Sequence, residues 1–188
     1  MKNIQIQFNQ AMMNLLKTMI GKPFKKYKCD PFIFTNKVYN RVGLYIDDSV
    51  FLLNNDLTVI DYFGEDEDIS ALSIETTIDS KVVSGLKDTE LIATPVEATI
   101  KEIRVIQEER KLFQNGVLTY NLASTRGLIF VLEDDREISF EKTDQYSEDI
   151  FVNRGHDLIK KFQVIDDSNP EGDPNNEFKT TRTTLIIK

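Results

Sequence analysis

Apolar residues first recur along the chain at helical spacing. Ile4, Phe8, Met12, Leu15, Leu16 and Met19 fall three or four residues apart, which places them on one face of an N-terminal helix. Gly21 is placed to end it, and Pro23 prevents its resumption. The next segment, "GKPFKKYKCD", sets Lys22, Lys25, Lys26 and Lys28 around Phe24 and Tyr27. Such a pattern fits an edge strand guarded by lysines, and also a track for a nucleic-acid backbone.

From residue 31 the pattern changes to short runs rich in aromatic and branched residues. "PFIFT", "RVGLYI", "SVFLLN" and "LTVIDYF" read as strands. Asp47-Asp48 and Asn54-Asn55-Asp56 are expected to turn the chain between them, giving a meander closed by Gly64. "DSKVVSGLKDTELI" reads as a short helix capped by Asp79, with Val82, Val83 and Leu86 inward. Asn115-Gly116 joins two long strands, because both residues accept the positive φ of a type I′ turn. "GLIFVL" is a continuous apolar run of buried-strand type. "EISFEK" returns with Ile138 and Phe140 inward and Glu137, Ser139 and Glu141 outward. "DIFVN" is a further strand and "HDLIKKF" a short helix. "DDSNPEGDPNNE" is a linker, and "TTRTTLIIK" after it has strand character. That strand docks on its own sheet or adds to a partner's. "RVGLYIDDSVF" faintly echoes "TRGLIFVLEDDREISF", as two acidic-tipped hairpins would. The expected fold is α+β: mainly antiparallel sheet of hairpins, with the N-terminal helix packed on one face. Residues 1–165 form a single domain, and 166–188 an acidic linker with a C-terminal strand.

Composition adds one fact that the pattern does not contain. Net charge is −8 over 188 residues, but it is unevenly spread. Residues 1–60 hold eight Lys and Arg against four Asp and Glu, while residues 61–100 hold two against ten. An acidic field repels phosphate backbones, so a basic partner is the natural expectation. The charge concentrates in Glu65, Asp66, Glu67 and Asp68, and again in Glu133, Asp134 and Asp135, each run following an apolar strand. A single cysteine, Cys29, excludes an internal disulfide and fits a reduced, cytoplasmic setting. No apolar run reaches the ~18 residues of a membrane span, and a secretory signal is not expected.

Candidate chemistry is sparse. His156 is the one histidine, so a triad could draw only on it, with Ser124 or Cys29 and Asp157, and no nucleophile elbow surrounds Ser124. A structural zinc site lacks ligands. Asp166, Ser168 and Glu177 imitate a calcium loop, but Pro170 and Gly172 break its pattern. Glu97, Glu109 and Lys111 are the residues a metal-dependent ribonuclease would use, and cleavage of a guide or other RNA is the alternative function. No Gly-rich phosphate loop occurs, and no cofactor is expected.

Two blocks carry a resemblance. They are "GKPFKKYKCDPFIFTNKVYNRVGLYIDDSVFLLNNDLTVIDYFGEDEDISALSI" and "TPVEATIKEIRVIQEERKLFQNGVLTYNLASTRGLIFVLEDDREISFEK". Their texture resembles small acidic accessory proteins carried by mobile genetic elements of Gram-positive bacteria. Type II-A anti-CRISPR proteins, which inhibit Cas9, come from the same genetic neighbourhood and are similar in size. The resemblance carries no catalytic motif and maps no site residue onto this chain. It implies a non-enzymatic inhibitor of a basic, nucleic-acid-handling partner, most specifically a Cas9-type CRISPR effector with its guide RNA. The expected contact residues are the two acid runs, Glu65 to Asp68 and Glu133 to Asp135.

Overall fold

The computed structural model describes residues 1–32, 36–165, 167 and 172–188. Most of the "PFIFT" run and much of the acidic linker, with the calcium-loop candidates Asp166 and Ser168, lie outside the described residues. Among the described residues the protein is mostly antiparallel β-sheet with one α-helix. In order the elements are β1 (Lys2–Ile6), α1 (Gln10–Lys17), β2 (Pro23–Cys29), β3 (Lys37–Tyr39), β4 (Arg41–Ile46) and β5 (Ser49–Tyr62). There follow β6 (Glu65–Thr77), β7 (Ile92–Gln114), β8 (Val117–Leu132), β9 (Glu137–Lys142), β10 (Asp149–Gly155) and β11 (Asn176–Ile187).

The strands run β3-β10-β9-β8-β7-β2-β4-β5-β6, with β1 added to β8 and β11 to β7. One strand, β7, organises this sheet. Its first part pairs with β2, and its remainder pairs with β8 on one edge and β11 on the other. Between these parts Glu97 takes a positive φ and the register shifts after Ile100, so the strand changes course there. The β2-β4-β5 portion thereby faces the β8-β9-β10 portion. Phe24 of β2 meets Phe130 of β8 at 5.2 Å between ring centroids, and Tyr27 meets Phe140 of β9 at 5.7 Å. These rings lie in the main core with Leu16, Leu44, Leu53 and Ile103.

Several expectations need correction. The N-terminal helix is shorter than its periodicity indicates. Residues 2–6, including Ile4, form β1 and pair parallel with β8, since β8 offers an open edge there. Asn9 then caps α1, its Oδ1 accepting from Met12 N at 3.0 Å. The lysine-rich segment is an interior strand, hydrogen-bonded to β4 and β7 on either side. Phe24 and Tyr27 are buried, so they offer no platform for bases.

Asn54-Asn55-Asp56 does not turn. It lies inside β5, where the Asn55 amide donates to the carbonyls of Ser147 and Asp149 at 3.0 and 3.2 Å. Tertiary partners thus replace the local bonds that favour a turn. The segments at residue 79 and residue 158 are single 3₁₀ turns, Asp79–Lys81 and Leu158–Lys161. Val82 is buried, whereas Val83 is exposed. Glu137, Ser139 and Glu141 are buried rather than outward, because Leu158 and Phe162 pack over that face with Ile106 and Ile129. The C-terminal strand pairs with β7 of its own sheet, from Asn176 opposite Gln114 to Ile187 opposite Ile103.

Candidate functional site

The first acid run opens β6 rather than a loop. Beyond Asn54, β5 has no further β4 partner and continues with β6 alone as a two-stranded ribbon. Phe63 and Gly64, both at positive φ, turn its tip. Opposite residues share a face of such a ribbon. Glu65 and Glu67 therefore lie on the face of Tyr62 and Ile60, and Asp66 and Asp68 on that of Asp61 and Val59. All four carboxylates are exposed, and none forms an ion pair among the described residues.

The ribbon is pinned. Phe63 packs on Tyr120 and Phe178, with centroids 4.5 and 5.0 Å away, and Tyr62 packs on Tyr146 at 5.8 Å. Lys2 of β1 also pairs with Asp61, which holds that carboxyl below its usual range. Aromatic packing of this kind was invisible in the sequence, where Tyr62 and Phe63 read only as the end of a strand.

The second acid run is separate. Glu133, Asp134 and Asp135 turn β8 into β9. Asp134 pairs with Arg136 at 2.6 Å and Asp135 with Lys101 at 3.1 Å. Tyr120, beneath the ribbon tip, lies twelve residues of β8 from Leu132, a span of roughly 40 Å at strand rise. The structure does not unite the two runs into one surface.

Nor does it assemble the enzymatic candidates. Glu97 and Glu109 lie twelve residues apart on β7, and Glu109 pairs with Lys111 at 3.1 Å. His156 Nδ1 meets the Asp135 carbonyl oxygen at 2.8 Å, so this nitrogen carries the proton and donates. Asp157 pairs with Lys160. Cys29 is buried, and burial pushes its thiol up to about 12. Among the described residues, no three His, Cys, Asp or Glu side chains gather as metal ligands would.

A recess that the sequence did not disclose lies between β7, β8, β11 and the segments around residues 145 and 164. It encloses about 260 Å³ and is lined by Glu108, Arg110, Arg126, Asp144, Thr180 and Arg182, among others. Arg182 Nε donates to Glu108 at 2.9 Å, and its Nη2 to the Gln163 carbonyl at 2.7 Å. Arg126 Nε donates to Glu141 at 3.1 Å, and its Nη2 to the Thr143 carbonyl at 3.0 Å and to the Gln163 side chain. Burial pushes the Glu141 carboxyl up despite this arginine. Behind it Lys142 is buried, donating to the Ser70 carbonyl at 2.9 Å. Burial and the nearby Arg126 lower its ammonium to about 8. These cations come from four strands, at spacings that carry no motif.

Fold and site together define a mostly antiparallel β protein with an anionic ribbon tip and a guanidinium-lined recess. Comparison with protein-family models, with curated proteins and with solved structures finds no match. Among the described residues, no helix is long and apolar enough to cross a membrane.

Proposed function

We propose that this chain is a non-enzymatic binding protein that meets a basic partner through the tip of the β5–β6 ribbon. One observation carries the reading: Glu65, Asp66, Glu67 and Asp68 are exposed and form no ion pair among the described residues, on a ribbon held by Tyr62 and Phe63. A pinned ribbon loses little freedom on docking, so less of the attraction is spent on ordering it. Unpaired carboxylates also speed encounter with a cationic groove, in a salt-dependent way. The Glu133 to Asp135 turn is the lesser contributor, since Arg136 and Lys101 already neutralise two of its acids.

The resemblance to accessory proteins of mobile elements makes a Cas9-type effector with guide RNA the most specific partner. On this reading the protein occupies a nucleic-acid groove as a steric and electrostatic competitor, and acts in the cytoplasm. The test is guide-directed DNA cleavage by a type II-A Cas9 titrated with the protein at ~150 mM salt. Inhibition by the native chain, lost when residues 65–68 are replaced by serine, supports it. Undiminished cleavage removes the effector from the proposal. Equal inhibition by the serine variant removes the ribbon tip.

A further inference from the structure

We infer that the recess between β7, β8 and β11 is a binding site for a small phosphorylated molecule, whose phosphate sits among the guanidinium groups of Arg110, Arg126 and Arg182. The inference is independent of the ribbon tip and uses other residues.

The concentration of ionised groups is the first ground. In a chain of net −8, three arginines gather at this recess among the described residues, with the carboxylates of Glu108 and Asp144 in the lining and that of Glu141 paired with Arg126 behind it. Buried ion pairs seldom repay their desolvation, so such a concentration inside a concavity calls for a ligand more than for stability.

The second ground is donor supply. Glu108 and Glu141 occupy the Nε side of Arg182 and Arg126, and main-chain carbonyls take the Nη2 groups. The Nη1 groups of these two arginines have no protein acceptor among the described residues. Each arginine is thus oriented by its carboxylate while keeping donors for an incoming anion. Arg110 is held in place by the Phe178 ring, 4.8 Å from the guanidinium carbon.

Thr180 supplies the third ground. It lines the recess, and its buried hydroxyl makes no hydrogen bond among the described residues. A buried polar atom without a partner is costly and marks a place where a ligand can complete the bonding. A planar carboxylate is satisfied by one guanidinium. Donors arriving from β7, β8 and β11 suit a tetrahedral dianion better. The recess is larger than a bare oxyanion requires, and Leu122, Val164 and Ile165 offer apolar wall to an attached organic group.

Calorimetric titration of the full chain tests this, with inorganic phosphate, glucose 6-phosphate and adenosine monophosphate, and with glucose and adenosine as uncharged counterparts. Saturable one-to-one binding of a phosphorylated probe, at least about tenfold tighter than its uncharged counterpart, is expected. Arg110→Gln should weaken it about tenfold or more, and Thr180→Val about three- to tenfold. Thr180→Val breaks no side-chain hydrogen bond seen among the described residues, so its melting temperature should not fall. It keeps the test decisive if Arg110→Gln fails to fold. The inference is overturned by no saturable binding of any phosphate-bearing probe up to ~10 mM, by equal affinity for the uncharged counterparts, or by unchanged affinity in the folded variants.

Discussion

Lys142 of β9 donates to the carbonyl oxygen of Ser70 on β6 at 2.9 Å, joining two strands that are far apart in the sheet order. Ser70 completes the joint. Its N–H donates to the Gln145 carbonyl at 2.7 Å and its hydroxyl to the Asp144 carbonyl at 2.9 Å. The ammonium is buried with no paired carboxylate among the described residues, so its protonation is disfavoured in the folded state.

This sets a pH dependence. The folded value lies near 8 and the ordinary value at 10.5, so between them the unfolded chain binds more protons. Stability should therefore rise with pH from 8 to 9, by about 1 kcal/mol for this one group. Above pH 9 the trend reverses, because Cys29 and Tyr120, both raised to about 12, hold protons in the fold that the unfolded chain releases. Urea unfolding at pH 7, 8 and 9 should show the rise, and Lys142→Met should flatten it. A rise of equal slope in the variant would assign it elsewhere.

Arg126→Met should cost roughly 3–5 kcal/mol, because Glu141 is left buried without its counter-ion. Replacing both, as R126M with E141L, should recover most of the loss. The single variant should also recover in mild acid. The Glu141 pKa is raised in the fold, so the folded state gains protons there before the unfolded one does. Denaturant midpoints at pH 5 and 7 report both effects.

Phe63→Ala removes the ring seated on Tyr120, Phe178 and Tyr62, and should cost about 2 kcal/mol. Its clearer signature is local. Amide exchange in residues 57–69 should accelerate more than in β8, since that part of the ribbon has no β4 partner.

Asp66 lies directly opposite Asp61 across the ribbon. Asp66→Thr should leave stability unchanged or raise it by a few tenths of a kcal/mol. Thermal unfolding at low and high salt checks this, with any gain shrinking as salt screens the pair. A clear loss would mean that Asp66 supports the tip.

Cys29 should be inert in the native protein, since burial holds its thiol far from ionisation at neutral pH. An aromatic disulfide reagent should label it within seconds in denaturant and at the rate of unfolding without it.

Much of the strand pattern follows from neighbouring residues alone. Alternation and apolar runs mark β4, β8 and β9, and Asn115-Gly116 marks the β7–β8 hairpin because positive φ is a property of the turn residues themselves. What failed depended on distant partners. Asn54 and Asn55 read as a turn until the amide of Asn55 finds the carbonyls of Ser147 and Asp149. Ile4 reads as helical until β8 offers its edge. Glu137 and Glu141 read as solvated until Leu158 N and Gln163 N bring their donors to the two carboxylates.

The same division holds for function. Charge is additive along a chain, so residues 61–100 declare their acidity without any fold. Whether that charge is neutralised, divided between two faces or concentrated is a question of geometry. Folding paired Asp134 and Asp135 with cations and, among the described residues, left Glu65 to Asp68 without them. Likewise it drew Arg110, Arg126 and Arg182 from β7, β8 and β11 around one recess. Strand pairing brings together residues of any sequence separation, and that is why local pattern cannot announce such a meeting.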